Sequence, residues 1–209
     1  MDYREKIMEE FIRLFVQKSC KDINVDEIAE NLGISKRTIY ETFSSKGDII
    51  KQTLNHYQTL AHSRTLEYCR GEVNPLKKML KMSFFIIENL KYISMARLVS
   101  LKKYYPEIAE ELIQEHCAFM KDSMLKIYYK AQDEGYIFSD IEPEFLLALL
   151  ISGERDPRQR TIHFMGKEHD VIKLFSAHLF TIIRGVSTLQ GVEICDAFFK
   201  EYLKDKIFS

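Results

Sequence analysis

Lys36, Arg37, Thr38, Glu41 and Thr42 fall within the stretch ISKRTIYETF. If that stretch is helical and Ile39 and Phe43 turn inward, helical geometry turns these five side chains outward together. Two cationic donors, a carboxylate and two hydroxyls make a short face that suits the polar base edges of a duplex major groove. The same face also reads as the solvated side of an ordinary small bundle. Lys46 sits in the first turn of the next helix, where the partial positive charge of the N-terminus makes a lysine unfavourable by roughly a few tenths of a kcal/mol. Beside free backbone N–H groups, however, a lysine makes a seat for a phosphate, and a bound polyanion would reverse the sign of that cost. The competing reading is a solvated lysine partly offset by Asp48.

Three short helices must hold these residues in place. Ile7, Phe11, Leu14 and Phe15 form a first apolar stripe, and Val25, Ile28, Ala29 and Leu32 a second, both at helical spacing. Asn24 stands as N-cap of the second helix with Glu27 three residues on, the reciprocal spacing of a capping box. Ala29 is small where two helices must cross closely, Gly33 can take a positive φ, Ile34 plugs the corner and Ile39 anchors the third helix from beneath. Those residue types at those offsets predict a helix-turn-helix, with Ser35 capping its second helix. A longer helix is expected from Ser44 or Ser45 to about Cys69.

The remainder repeats the helical pattern. Asn74-Pro75 opens a helix that is apolar on nearly every side between Met82 and Ile87, Pro106 opens a long one that stops at Gly135, and Pro143 opens FLLALLIS. The polar stretch from Glu154 to Asp170 reads as a loop, and two final helices follow, separated by Gly185 to Gly191. The fold class expected is all-α.

Thirty Lys and Arg against 31 Asp and Glu leave no overall charge to attract a polyanion, so any basic surface must be local. Cys20, Cys69, Cys117 and Cys195 are far apart and lack a C-x-x-C pair, which suggests neither a disulfide framework nor a structural metal, and fits a cytoplasmic protein. No run approaches the roughly 18 to 20 apolar residues of a membrane span. No nucleophile motif, H-E-x-x-H pair or glycine-rich phosphate loop is present, so the chain does not read as an enzyme, and no cofactor is implied.

Residues 4–54, with NVDEIAENLG, ISKRTIYETF and SKGDII, resemble the DNA-binding domain of the tetracycline-repressor (TetR) family of bacterial regulators. Tyr40 three residues before Phe43, followed by Ser45 and Lys46, meets the family pattern. The resemblance implies that Thr38, Tyr40 and Lys46 touch phosphates and that Lys36, Arg37, Glu41 and Thr42 face base edges. It also implies the overall plan: a three-helix DNA-binding domain over 1–50, linked by a helix over 45–70 to a larger effector-binding and dimerisation domain over 51–209. The function so implied is a ligand-responsive homodimer, more often a repressor than an activator, released from a palindromic operator when an effector repositions the fourth helix. Asn24 in place of a threonine cap, Gly47 and the acids Asp22, Asp26, Glu27 and Glu30 depart from the family pattern and bear on affinity.

For an effector pocket, Met82, Phe85, Met95, His116, Phe119, Met120, Met124 and Tyr128 supply thioethers, rings and a few polar handles suited to a small apolar or amphipathic guest. The same stripe also reads as ordinary core. The resemblance places a dimer surface on the helix holding Ile172, Phe175, Leu179 and Ile183, with Phe145 to Ile151 as its companion. A helix-turn-helix adaptor or assembly factor without effector binding is the alternative function.

Overall fold

The computed structural model describes residues 2–90, 95–152 and 171–202. Among them lie α1 (Tyr3–Gln17), α2 (Val25–Leu32), α3 (Lys36–Thr42), α4 (Lys46–Tyr68), α5 (Pro75–Leu90), α6 (Met95–Tyr104), α7 (Pro106–Asp133), α8 (Pro143–Ser152), α9 (Val171–Gly185) and α10 (Leu189–Tyr202). The described residues are all-α, with a single isolated antiparallel bridge between Ile137 and Ser187. The side chains of Met95 and Ile172, and the polar stretch from Glu154 to Asp170, lie outside the described residues.

The helices form two compact units, residues 1–64 with 92–118 and residues 65–91 with 119–209. The division therefore falls inside α4 and α7, whereas the family plan puts a boundary near residue 50. Packing explains the discontinuity. Ile7, Phe11, Phe15, Ile28, Ile39, Phe43, Ile49 and Ile50 are each at most 1% exposed, and Leu101 of α6 and Ala109 of α7 join the same core. Each such Ile or Phe contributes about 1.5–3 kcal/mol by leaving water.

Arg97 of α6 adds a polar tie. Its Nε donates to the Phe15 carbonyl at 3.1 Å and its Nη2 to the Val16 and Gln17 carbonyls at 3.2 and 2.6 Å. These are carbonyls that the end of α1 leaves without helical partners, at the negative end of its dipole.

The second unit is built around α5, where Leu76, Met79, Leu80 and Met82 are at most 1% exposed. Phe84 packs on Phe198 of α10 with ring centroids 5.6 Å apart. Gly135 ends α7 with φ 76°, and the chain then clasps the α9–α10 corner. Phe138 N–H donates to the Val186 carbonyl at 3.1 Å, and Thr188 N–H to the Tyr136 carbonyl at 3.0 Å. Thr188 is also the N-cap of α10, its Oγ1 accepting from Gly191 N–H at 3.3 Å. Gly191, read from sequence as part of a linker, is thus in the first turn of a helix.

Within the first unit, His62 of α4 and His116 of α7 meet at 3.1 Å, Nε2 to Nδ1, with their rings stacked 5.4 Å apart. One nitrogen donates and the other must keep a lone pair, so the contact needs neutral imidazole. Burial, helped by the neighbouring His116, pulls His62 down to about 4, and burial lowers His116 as well. A histidine lowered on folding binds more protons when unfolded, so its stabilisation is present above about pH 6.5 and is lost as pH falls toward 4. We expect the thermal midpoint to fall between pH 7 and pH 5, and to fall less in His116→Phe, as followed by circular dichroism.

Candidate nucleic-acid interface

The α2–α3 corner is fixed by local chemistry. Asn24 Oδ1 accepts from Asp26 N–H at 3.2 Å, capping α2. Glu27 lies 2.6 Å from Lys18 Nζ, and this contact, with help from the Asn24 backbone, holds its carboxyl below the usual range. At the other end Gly33 takes φ 64° and ψ 33°, its N–H bonding to the Glu30 carbonyl while Ile34 N–H reaches the Ala29 carbonyl at 3.0 Å. That double closure needs a left-handed residue, which a side chain would strain by about 1–2 kcal/mol. Ser35 then caps α3, accepting from Thr38 N–H at 3.0 Å. Ile39 and Phe43 are buried at 0% and 1% exposure, and Ala29 at 6%, so the inward side of α3 is fully used.

The outward side carries the expected residues, and most of them already have partners. Arg37 Nε donates to Glu41 Oε1 at 2.9 Å, with side-chain exposures of 88% and 60%. Lys36 Nζ is 2.9 Å from Asp26 on α2, and that carboxylate raises the lysine above its usual range. The Thr42 hydroxyl donates back to the Thr38 carbonyl at 3.1 Å, and Thr38 Oγ1 lies 2.9 Å from Ser35 Oγ. Tyr40 stands exposed on the same short helix.

Lys46 is the first residue of α4. Asp48 N–H donates to Ser45 Oγ at 3.1 Å, and the Asp48 carboxylate accepts from Ser44 N–H at 2.9 Å, which secures the helix start. Hydrogen bonds from Gln52 first, then from Ser44, hold the Asp48 carboxyl below its ordinary value. The Lys46 ammonium donates to the Lys21 carbonyl at 3.1 Å. Partial burial lowers its pKa, so the charge at this helix N-terminus is incompletely solvated.

Residues 7–53 match the profile of bacterial regulatory proteins of the tetR family. That segment is a tetR-family domain. It is 27% identical over 187 residues to the HTH-type transcriptional regulator YuxN of Bacillus subtilis strain 168, covering 83% of this chain and 64% of that protein. It is 29% identical over 104 residues to YvaF of the same organism, covering 48% of this chain and 53% of that relative. The chain thus spans between half and two thirds of these relatives' lengths. Among solved structures, the fold is similar to the regulator FadR of Bacillus subtilis in complex with stearoyl-CoA, with a TM-score of 0.66 at 16% identity over 88% of this chain and 100% of that one. It is also similar to a regulator of Saccharomonospora viridis in complex with choline, with a TM-score of 0.70 at 17% identity over 89% and 98% of the two chains.

The residues expected at a TetR-type effector pocket are divided between the units. Met82, Met120, Met124 and Tyr128 lie in one buried cluster of the second unit, with Phe119 packed against it. Phe85 stacks on Tyr68 at 4.6 Å. The Tyr128 hydroxyl donates to the Ile141 carbonyl at 3.2 Å, and burial pushes it up to about 12. His116 belongs to the first unit, paired with His62. On α9, Phe175, Leu179 and Ile183 turn into the core of their own unit at 6%, 8% and 0% exposure, while on α8 Phe145 is 60% and Leu149 36% exposed.

Sequence reasoning missed three participants. Asp26 holds Lys36 across the helix corner, the Lys21 carbonyl holds Lys46, and Arg4 lies 5.2 Å over the Phe43 ring while also contacting Gln52. Only Asp26 left a signal, as an acid in the first turn of α2.

Proposed function

We propose that the protein is a ligand-responsive, homodimeric transcriptional regulator, a repressor released from a palindromic operator by a small apolar or amphipathic effector. The observation that carries the reading is the outward face of α3, where Lys36, Arg37, Glu41 and Thr42 stand over a buried Ile39 and Phe43 beside a lysine at the start of α4. In this reading α3 enters the major groove, Lys36, Arg37, Glu41 and Thr42 face base edges, and Thr38, Tyr40 and Lys46 fix the phosphate backbone. The place of action is the cytoplasm. Phe145 and Leu149 supply an outward apolar surface on α8 for a second copy.

The effector reading draws on Met82, Phe85, Phe119, Met120, Met124 and Tyr128, whose thioethers and rings adapt to apolar guests. The fold neighbours with stearoyl-CoA and choline bound make an acyl thioester and a quaternary amine sensible first probes. A second reading, an adaptor without effector binding, is favoured by one observation: Met82, Met124 and Tyr128 are at most 3% exposed within a packed core.

Binding by variants tests the contact roles. Lys46→Ala and Tyr40→Phe are expected to weaken binding to all sequences alike, Lys46→Ala also lowering the salt slope by about 0.9, whereas Arg37→Ala changes sequence preference. Equal effects of all three on every duplex remove Arg37 from base reading. Acyl-CoA or choline that shifts DNA affinity supports sensing, and a broad apolar ligand screen that never shifts it supports the adaptor.

A further inference from the structure

We infer that Arg37 and Glu41 work as one base-reading pair that selects a guanine and a cytosine on the same or adjoining base pairs of each half-site. The inference rests on the DNA-binding reading and deepens it by naming the bases. Arg37 and Glu41 are one helical turn apart on α3, joined Nε to Oε1 at 2.9 Å, and both are largely exposed. The bond occupies Nε and leaves the outer guanidinium nitrogens as a fork. Guanine O6 and N7 are the acceptors that fit such a fork bidentately.

Glu41 keeps a second carboxylate oxygen, which only accepts. In the major groove the base donors are cytosine N4–H and adenine N6–H. Adenine sets its N7 acceptor beside that donor, and a carboxylate meeting it is repelled. Cytosine has no acceptor of its own beside its donor, and the paired guanine O6 next to it is the oxygen that Arg37 takes when both residues read one pair. Opposite thymine O4 or guanine O6 the carboxylate is repelled outright, so Glu41 selects chiefly by rejecting wrong bases.

The charge of the motif supports a selective pair over a general anion grip. Residues 22–48 hold six Asp and Glu against three Lys and Arg, a net charge of 3 − 6 = −3. A net negative charge gives this segment little bulk attraction to a polyanion. Lys36 is held 2.9 Å from Asp26, leaving Arg37 as the cation on α3 whose partner is itself on the reading face.

The test uses the full chain to select duplexes from a random pool, with Glu41→Gln and Asp26→Asn compared with the parent. Both changes keep side-chain size at exposed positions, and circular dichroism checks that both variants are folded. The parent is expected to enrich half-sites with guanine and cytosine in the same or adjoining pairs. Glu41→Gln should lose about tenfold of the discrimination for cytosine while keeping guanine. Asp26→Asn, which frees Lys36, should raise affinity and steepen the salt dependence by about one unit without changing preference at the guanine and cytosine read by Arg37 and Glu41. Identical preferences for Glu41→Gln and the parent overturn the inference, as does an Asp26→Asn change at the same base position, which would point to bulk charge. If the parent selects a palindrome whose cytosines do not depend on Glu41, DNA reading stands and this inference alone falls. If the parent selects nothing, both fall.

Discussion

Phe43→Ala is expected to destabilise the first unit by about 3–5 kcal/mol and to abolish DNA binding for every sequence alike. Phe43 is 1% exposed and follows directly on α3, closing the core formed by Ile7, Phe11, Phe15 and Ile39. Truncating it removes the ring's burial and leaves a cavity that the short α3 cannot collapse to fill. The loss is a large share of the roughly 5–15 kcal/mol that holds a domain together. Arg4, 5.2 Å above the ring, loses its partner as well. Thermal unfolding checks the magnitude. Phe43→Leu should recover most of the loss, since it conserves apolar volume. Arg37→Ala, on an 88% exposed side chain, should leave the midpoint nearly unchanged, which separates folding from reading.

The second large effect is expected at Gly191, where intrinsic propensity points the wrong way. In a helix, alanine is ordinarily better than glycine by about 0.5–1 kcal/mol. Here an added Cβ would sit 2.1 Å from the Tyr136 carbonyl oxygen and 2.9 Å from Ser187 Cβ. To relieve that overlap the 135–138 segment must move off the corner, loosening the Thr188 N–H bond to Tyr136 and the Phe138 N–H bond to Val186. Gly191→Ala should therefore cost about 3 kcal/mol or more. Gly185→Ala is the control: no atom lies within 4 Å of a Cβ there, and the midpoint should hold or rise. If both variants behave alike, the close approach of Tyr136 is not what requires glycine at 191.

These two sites show what a one-dimensional reading can reach. The corner at Gly33 was legible because Ala29, Gly33, Ile34 and Ile39 act within one turn or two of each other, and local steric demands appear directly as residue type. Ser35 and Asn24 were legible as caps for the same reason. Gly191 was not, because its need comes from a carbonyl 55 residues away, and it looked like linker until Thr188 was seen to cap α10. Arg97 on α1 is a contact set by tertiary packing that nothing in its own neighbourhood marks, and Asp26 was visible as an acid at the start of α2 while its grip on Lys36 was not. The apolar stripe of α9 could not reveal whether Phe175 and Leu179 serve their own core or a partner, because burial has the same pattern in both cases.

The ion pairs on the outward face of α3 also change how Lys36 and Arg37 should be regarded. They looked like free cations awaiting phosphates or bases. In the structure each is already paired with a carboxylate at 2.9 Å, so Lys36 must exchange its partner to bind, whereas Arg37 can keep Glu41 on Nε and bind through its outer nitrogens. Such exposed pairs are worth only about 0.2–1 kcal/mol, and exchange is therefore inexpensive where the duplex offers a matching edge.

The central claim is that α3 reads DNA as one half of a two-fold assembly. The decisive measurement is selection of bound duplexes from a random pool by this chain. An enriched inverted repeat is expected, with half-sites on successive major grooves about 34 Å apart centre to centre. Enrichment of no sequence, or of a single unrepeated site, would contradict it.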